Sequence, residues 1–298
     1  MKKFSMMLLF VLMMVPAIAA DANVTGALAA TNATADVIKK KNPNTKFPRG
    51  LEFGLGVSPT SGLNGFIGYN NKKFNSFWAK RFGFRFDFAS FSPIKNRLNR
   101  KINDSVGNDG IKIEDNLKIN NIALNAKHYG ALVDFYPFGD TWFLGGWRVS
   151  GGYVSGRMNL NSDIYGKNIG GNIEFELNGN KYYYTGGEMR GTANVSWDYR
   201  GPYLGTGFDL GILWGFKIYV DTGVVFANRP AHVGLDVPLT GLYDNNGVAI
   251  TENSSDPIIQ QAYADFRTAQ AAELQKAQRE LDKYPYYPLV KIGFMYRF

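Results

Sequence analysis

Ten charged residues stand at alternate positions within apolar, strand-like stretches: Glu52, Arg85, Asp87, Asp134, Arg148, Arg190, Asp198, Lys217, Asp221 and Lys291. In RFGFRFDFAS, for example, Phe82, Phe84, Phe86 and Phe88 alternate with Arg81, Gly83, Arg85 and Asp87. A period of two places the aromatic rings and the charges on opposite faces of one strand. The ten are of both signs in similar number. Gathered inside a narrow barrel, such charges either pair, because an unpaired buried charge is costly, or set the field of a solute path. No other chemistry has support from residue type and spacing. The 2 histidines, His128 and His232, have no metal-ligand spacing and no Ser or Cys partner. There are no cysteines, hence no thiol nucleophile, thiolate metal site or disulfide. GGEMRG lacks the strand-to-helix context of a phosphate loop. The expectation is a protein that is not an enzyme, with no cofactor and no metal.

The elements that must carry these charges are strands. LEFGLGV, LNGFIGYN, RFGFRFDFAS, HYGALVDFYPF, GWRVSGGYVSGR, MRGTANVSWDY, FKIYVDTGVVF and the terminal VKIGFMYRF each alternate, which makes eight. Large aromatics share one face, and charges with glycines (Gly54, Gly56, Gly83, Gly130, Gly152) share the other. That is the reverse of a soluble barrel and predicts a membrane barrel, apolar outside and polar inside. The inward glycines predict room that water can occupy. Connections near residues 70–78, 139–142 and 211–215 are short, whereas 92–120, 160–188 and 229–284 are long, as periplasmic turns and external loops should be. Trp78, Trp142, Trp147 and Trp214 cluster at the short turns and, with Phe298, predict an interfacial aromatic girdle. The final strand closes against the first, leaving no edge in lipid. Two places resist this pattern. Apolar parity is odd through Tyr199 but even at Leu204 and Phe208, which predicts a bulge at Gly201-Pro202, and a similar slip falls between Leu124 and Tyr129.

The remaining segments have separate readings. Residues 1–19 carry Lys2 and Lys3, a short apolar run and Ala17-Ile18-Ala19, a cleavable signal-peptide pattern. Residues 20–47 read as a flexible polar leader, and 48–298 as the barrel. The formal charge of +8 decides nothing by itself, and export excludes nucleic acid as a partner. Lys95, Arg97, Arg100 and Lys101 form a basic loop cluster, either a solvated loop or a contact for lipopolysaccharide phosphates. Asp256 as N-cap and Pro257 begin a helix over 257–283, with Ile259, Tyr263, Phe266, Leu274, Ala277 and Leu281 on one stripe. It lies on the external side, where a plug, a lid and a partner site all fit.

YGALVDFYPFGDTWFLGGWRVSGGYV, RGPYLGTGFDLGILWGFKIYVDTGVVFANRP and YPYYPLVKIGFMYRF, in that order and with a helix before the last strand, resemble the small outer-membrane proteins of the CarO type. These are related in plan to the OmpW and OmpA transmembrane domains. The resemblance implies an all-β, eight-stranded antiparallel transmembrane barrel with a helical insertion, in the outer membrane of a Gram-negative bacterium. It also implies passive uptake of small amino acids such as ornithine, and reading of the C-terminal strand by the barrel-assembly machinery. No ligand-site residue carries over. Two functions stand: a narrow channel for small charged or zwitterionic solutes, and a non-conducting barrel that stabilises the membrane or presents its loops. Partners in either case are outer-membrane lipid, lipopolysaccharide at the basic cluster, and in the first case a small-solute ligand.

Overall fold

The computed structural model describes residues 50–298 apart from 73–75, 107–109, 115–116, 140, 142–143, 168–170 and 214. The signal segment, the 20–47 leader, Trp142 and Trp214 lie outside the described residues. In chain order the elements are β1 (Leu51–Ser58), β2 (Gly62–Tyr69), β3 (Phe82–Ser90), α1 (Lys95–Val106), β4 (Ile111–Glu114), β5 (Leu117–Phe135), β6 (Trp147–Lys167), β7 (Ile173–Leu177), β8 (Asn180–Tyr184), β9 (Glu188–Leu213), β10 (Phe216–Phe226), β11 (His232–Asp236), β12 (Leu242–Asp244), α2 (Pro257–Asp282) and β13 (Tyr286–Arg297). Antiparallel pairings run β1-β2-β3-β5-β6-β9-β10-β13 and return to β1, where Glu52 meets Arg297 and Val57 meets Ile292. Backbone groups that an open sheet would leave unpaired are thereby satisfied within the ring. Among the described residues, no helix is long and apolar enough to cross a membrane.

Thirteen strands form, not eight. The five outside the circuit occupy the stretches expected to be external loops. β4 pairs with β5, β11 with β9, and β7, β8 and β12 make a separate small sheet. The ring strands are also unequal: β1 and β2 have 8 residues, β6 has 21 and β9 has 26. Crossing a membrane takes about 9–11 strand residues. β5, β6 and β9, at 19, 21 and 26 residues, are about twice that length and carry the added elements at one end of the ring.

This length explains the parity problem. The β6–β9 ladder runs from Trp147↔Phe208 to Lys167↔Glu188 without a register shift, so there is no bulge at Gly201-Pro202. Even-numbered residues of β9 face outward throughout. In the lower half these are the exposed apolar Leu204, Leu210 and Ile212; in the upper half they are Arg190, Thr192, Asn194 and Asp198, all exposed. Odd-numbered Ala193, Val195, Trp197 and Tyr199 face inward and are buried. The backbone does not slip; the apolar face changes sides partway along an unbroken strand. Pro202, without an N–H to donate, lies one residue beyond the last β9–β10 pair, Val225↔Tyr203. β5 behaves similarly, with Tyr129 and Val133 outward and Ile122, Leu124 and Ala126 buried inward. The register shift of its ladder with β6, between Asn120 and Ala123, comes with Asn121 at φ 50° and lies above the 124–129 stretch.

Two interiors follow. The lower one is polar. The upper one is apolar, and joins Leu124, Met158, Leu160, Ile164, Val195 and Trp197 of the ring strands to Phe175 and Tyr182 of the small sheet and to Phe266 of α2. Asp256 caps α2, its carboxylate accepting from the Ile258 N–H at 2.8 Å. The buried face is Ala262, Phe266, Ala269, Gln270, Glu273, Ala277 and Leu281. Gln270 donates to the Leu235 carbonyl at 3.0 Å, and the Val233 N–H donates to Gln278 at 3.3 Å, so α2 is fastened along β11.

The basic stretch after β3 is a second helix, α1, rather than a loop. Ile94, Leu98, Ile102 and Val106 recur every four residues, and Leu98 and Ile102 are buried. β3 ends at Ser90 opposite Lys127 and β4 pairs only with Leu117–Ile119, leaving the edge of β5 between them without a strand partner. α1 fills the place. Asn99 accepts from the Leu124 N–H at 3.1 Å, and Asn103 accepts from the Ile122 N–H at 2.9 Å while donating to the Ile122 carbonyl at 3.2 Å. Side-chain amides here do for an edge what another strand would do.

Candidate functional site

The chemistry expected of the chain gathers in the lower interior. Arg85 on β3, Asp134 on β5, Arg148 on β6 and Asp221 on β10 alternate in sign around the ring and meet across its axis. Arg85 lies 2.8 Å from Asp134 and 2.7 Å from Asp221. Arg148 pairs with Asp221 and with Asp209 of β9, and stands 3.8 Å from Asp134. Ser150 donates to Asp134 at 2.5 Å, and Arg85 reaches Ser150 at 3.3 Å. Below this group Arg297 pairs with Glu52 and lies 3.3 Å from Asp209, which also accepts from the Tyr136 hydroxyl at 3.2 Å. Above it Lys291 pairs with Asp87. The side chains of Arg85, Arg148, Asp87, Asp134, Asp209, Asp221 and Lys291 are each no more than 4% exposed. A charge removed from water to that degree is held only by opposite charges at hydrogen-bonding distance.

Strand parity explains why these residues converge. Each belongs to the inward set of its strand, and the arginines are long enough to reach across the ring to two acids with one guanidinium fork. Apolar and aromatic side chains fill the remaining space. Phe66 lies over Gly54, and Tyr219 lies over Gly56 and Gly293 and donates to Asn64 at 2.5 Å. The Arg85 guanidinium sits 5.1 Å from the centre of the Phe66 ring. The inward glycines are therefore seats for neighbouring groups. A Cβ at Gly56 would meet the Tyr219 hydroxyl at 2.6 Å, at Gly130 it would meet Val154 at 2.9 Å, and at Gly83 it would meet Asn70 at 3.0 Å. The room for water expected from them is taken up.

Eight of the ten charges singled out by spacing belong to this interior or its lower rim, with Lys217 half-buried at the latter. Arg190 and Asp198 do not. They stand on the outward face of β9 above the membrane section, where the inward face is apolar; Arg190 pairs with Glu188 at 3.2 Å and Asp198 with Arg157. The Arg157 hydrogen bond holds the Asp198 carboxyl below the ordinary carboxylate range. Spacing overlooked Asp209 and Arg297. Asp209 was hidden by the apparent parity slip, although it has the same parity as Tyr199, and Arg297 is on the polar face of the last strand. Of the girdle, Trp78 is exposed, Trp147 is half-buried and donates to Thr206 at 2.8 Å, and the Phe298 ring packs 5.9 Å from Phe53 and 4.7 Å from Tyr296. His128 is buried inside the ring and His232 begins β11. Among the described residues no group of three or more His, Asp or Glu is placed to hold a metal.

No protein-family model matches the sequence, and no curated protein sequence matches it. Solved structures do. The crystal structure of CarO from Acinetobacter baumannii superposes with a TM-score of 0.51 at 15% identity, over 84% of this chain and 98% of that one. CarO2 of the same organism gives 0.47 at 14%, over 84% and 99%, and a major outer membrane protein from Thermus thermophilus gives 0.34 at 13%, over 83% and 97%. The first of these likenesses establishes the fold: the chain is built as a barrel like that of CarO.

Proposed function

We propose that this chain, exported under the 1–19 signal, is an outer-membrane protein whose eight-strand circuit spans the bilayer with a filled lumen and holds a folded region, α2 included, at the cell surface. It is not an enzyme in this reading. The assembly machinery takes up the last strand with its terminal Phe298, and Trp78, Trp147 and Phe298 sit at the inner interface. One observation carries the proposal: the ion-pair ring Arg85–Asp134–Arg148–Asp221 crosses the barrel with every member buried. An eight-stranded barrel is just wide enough for its side chains to fill it, and here charges that hold each other by several short contacts do so. The test is current through planar bilayers containing the refolded protein, with basic amino acids added to one side. The expected result is no discrete conductance from protein shown to be folded; regular steps sensitive to those solutes would overturn it.

A second reading, a narrow channel for small charged or zwitterionic solutes, draws on a different observation. Among the buried side-chain atoms of the outer half of the lumen, Asp87 Oδ1, Asn64 Nδ2 and both His128 ring nitrogens have no protein hydrogen-bond partner. Buried polar groups are normally satisfied, by water where protein does not serve. A hydrated stretch here makes the charge ring, with the Arg297–Glu52 pair beneath it, the barrier to be opened. If so, Asp221→Asn, which removes the acid shared by Arg85 and Arg148, should create conductance where the unaltered protein has none.

A further inference from the structure

The outward face at the external end of the barrel has a charge pattern that the lumen does not explain. Apolar side chains facing lipid end at Phe88 on β3, Tyr129 on β5, Tyr153 on β6 and Leu204 on β9, all exposed. On β5 the next outward residue is Lys127. On β6 Arg157 lies four residues beyond Tyr153, and on β9 Arg200 lies four beyond Leu204. The register puts Lys127 directly opposite Arg157, Arg157 opposite Asp198, and Arg200 opposite Ser155. Like charges facing each other across a ladder are unfavourable. Asp198 relieves Arg157 from one side, while no ion pair is formed by Lys127 or Arg200 among the described residues.

α1 adds to this pattern. It takes the place of β3 above Phe88, and its asparagines bind the β5 edge. At 100° per residue Arg97 and Lys101 fall away from Asn99 and Asn103, Arg100 falls opposite the buried Leu98 and Ile102, and all three cations are exposed, as is Lys95. Among the described residues the exposed acids nearest in sequence are Asp104 and Asp198, too few to balance seven cations. A helix fixed by two side-chain clamps and a buried Leu98–Ile102 pair thus holds its cations at a set height, just above lipid-facing aromatics.

Resting on the membrane placement proposed above, we propose that this rim binds a phosphorylated lipid of the outer leaflet. Its acyl chains lie on Phe88, Tyr129 and Tyr153, and its phosphates lie among Arg97, Arg100 and Lys101 of α1 and Lys127, Arg157 and Arg200 of the strands. Phosphate suits the guanidinium fork, and acyl chains directly below phosphates suit aromatics directly below cations. A soluble phosphate compound would use the cations and leave the rings idle.

The experiment is native mass spectrometry of the folded protein in detergent with bis-phosphorylated lipid A, the same lipid dephosphorylated, and inorganic phosphate as competitor. The expected result is a lipid adduct that forms with the phosphorylated lipid, weakens about tenfold on dephosphorylation and survives millimolar phosphate. Lys127→Gln with Arg200→Gln, and separately Arg97→Gln with Arg100→Gln and Lys101→Gln, should each weaken it, whereas Lys127→Arg should keep it. Equal retention of the two lipids by the unaltered protein overturns the proposal without any variant. Complete displacement by inorganic phosphate also overturns it, by assigning the cations to a free anion. A failure of membrane placement itself would show separately, as loss of the heat-modifiable gel migration of a folded barrel.

Discussion

Phe86 and Phe266 are the same residue type in opposite surroundings. Phe86, in the membrane section, is 68% exposed on the outer face of β3; Phe266, in the external section, is 0% exposed on the buried face of α2, with Tyr182 edge-on at 5.2 Å. The charged residues are arranged the other way about. Arg148 is buried at the barrel centre, whereas Arg157, nine residues along the same strand, is exposed. One set of strands thus encloses two interiors of opposite polarity. The difference follows from what lies outside. Lipid accepts aromatic rings and rejects charge, so charge pairs inward; water accepts charge, so apolar groups pack inward.

The largest way to break the comparison is at the two arginines. Arg148→Met leaves the buried Asp209 to Arg297 and the Tyr136 hydroxyl and the buried Asp221 to Arg85, and should cost about 3–5 kcal/mol in urea unfolding from vesicles. Arg157→Met should leave the same transition where it is. Equal effects from the two would contradict the two-interior account. Phe266→Ala comes next: about 3–5 kcal/mol should be lost from the external region, as for other large-to-small changes in packed cores. Limited proteolysis should then cut near α2 while the barrel keeps its folded gel migration. A charge on the outer face separates the sections further. Phe86→Lys should cost about 2–4 kcal/mol as a cation facing mid-membrane lipid. Thr192→Lys, also outward but above the membrane, should be tolerated without measurable loss. Smallest is Asn103→Leu, which strips the Ile122 N–H of its acceptor and should cost about 1–3 kcal/mol, seen as faster hydrogen exchange confined to the upper end of β5.

The membrane section was largely legible in the residues because lipid imposes one rule on every strand there. Alternation located the inward charges, and Asp256-Pro257 marked the start of α2. The external section was less legible because the same alternation persists with its meaning inverted. A single apolar-out rule applied along β9 turns Val195 and Trp197 into lipid-facing residues, puts Arg190 and Asp198 in the lumen, and requires a bulge where the ladder is regular. α1 was obscured by its charge, although Ile94, Leu98, Ile102 and Val106 carried the helical spacing. The partners of the buried charges were beyond reach for another reason. Lys291 and Asp87 are 204 positions apart, and only closure of the ring brings them together. The glycines misled because a missing side chain reads equally as open space or as a seat for a ring.

The most direct measurement is single-cysteine labelling along β9, made clean by a chain that has no cysteine of its own. A membrane-impermeant maleimide should modify Thr192→Cys and Asn194→Cys rapidly and leave Val195→Cys protected. Leu204→Cys and Leu210→Cys should react only with a lipid-soluble reagent. Rapid aqueous labelling of Val195→Cys with protection of Thr192→Cys and Asn194→Cys would mean that the strand changes parity at Gly201-Pro202, and would contradict the inversion on which this account rests.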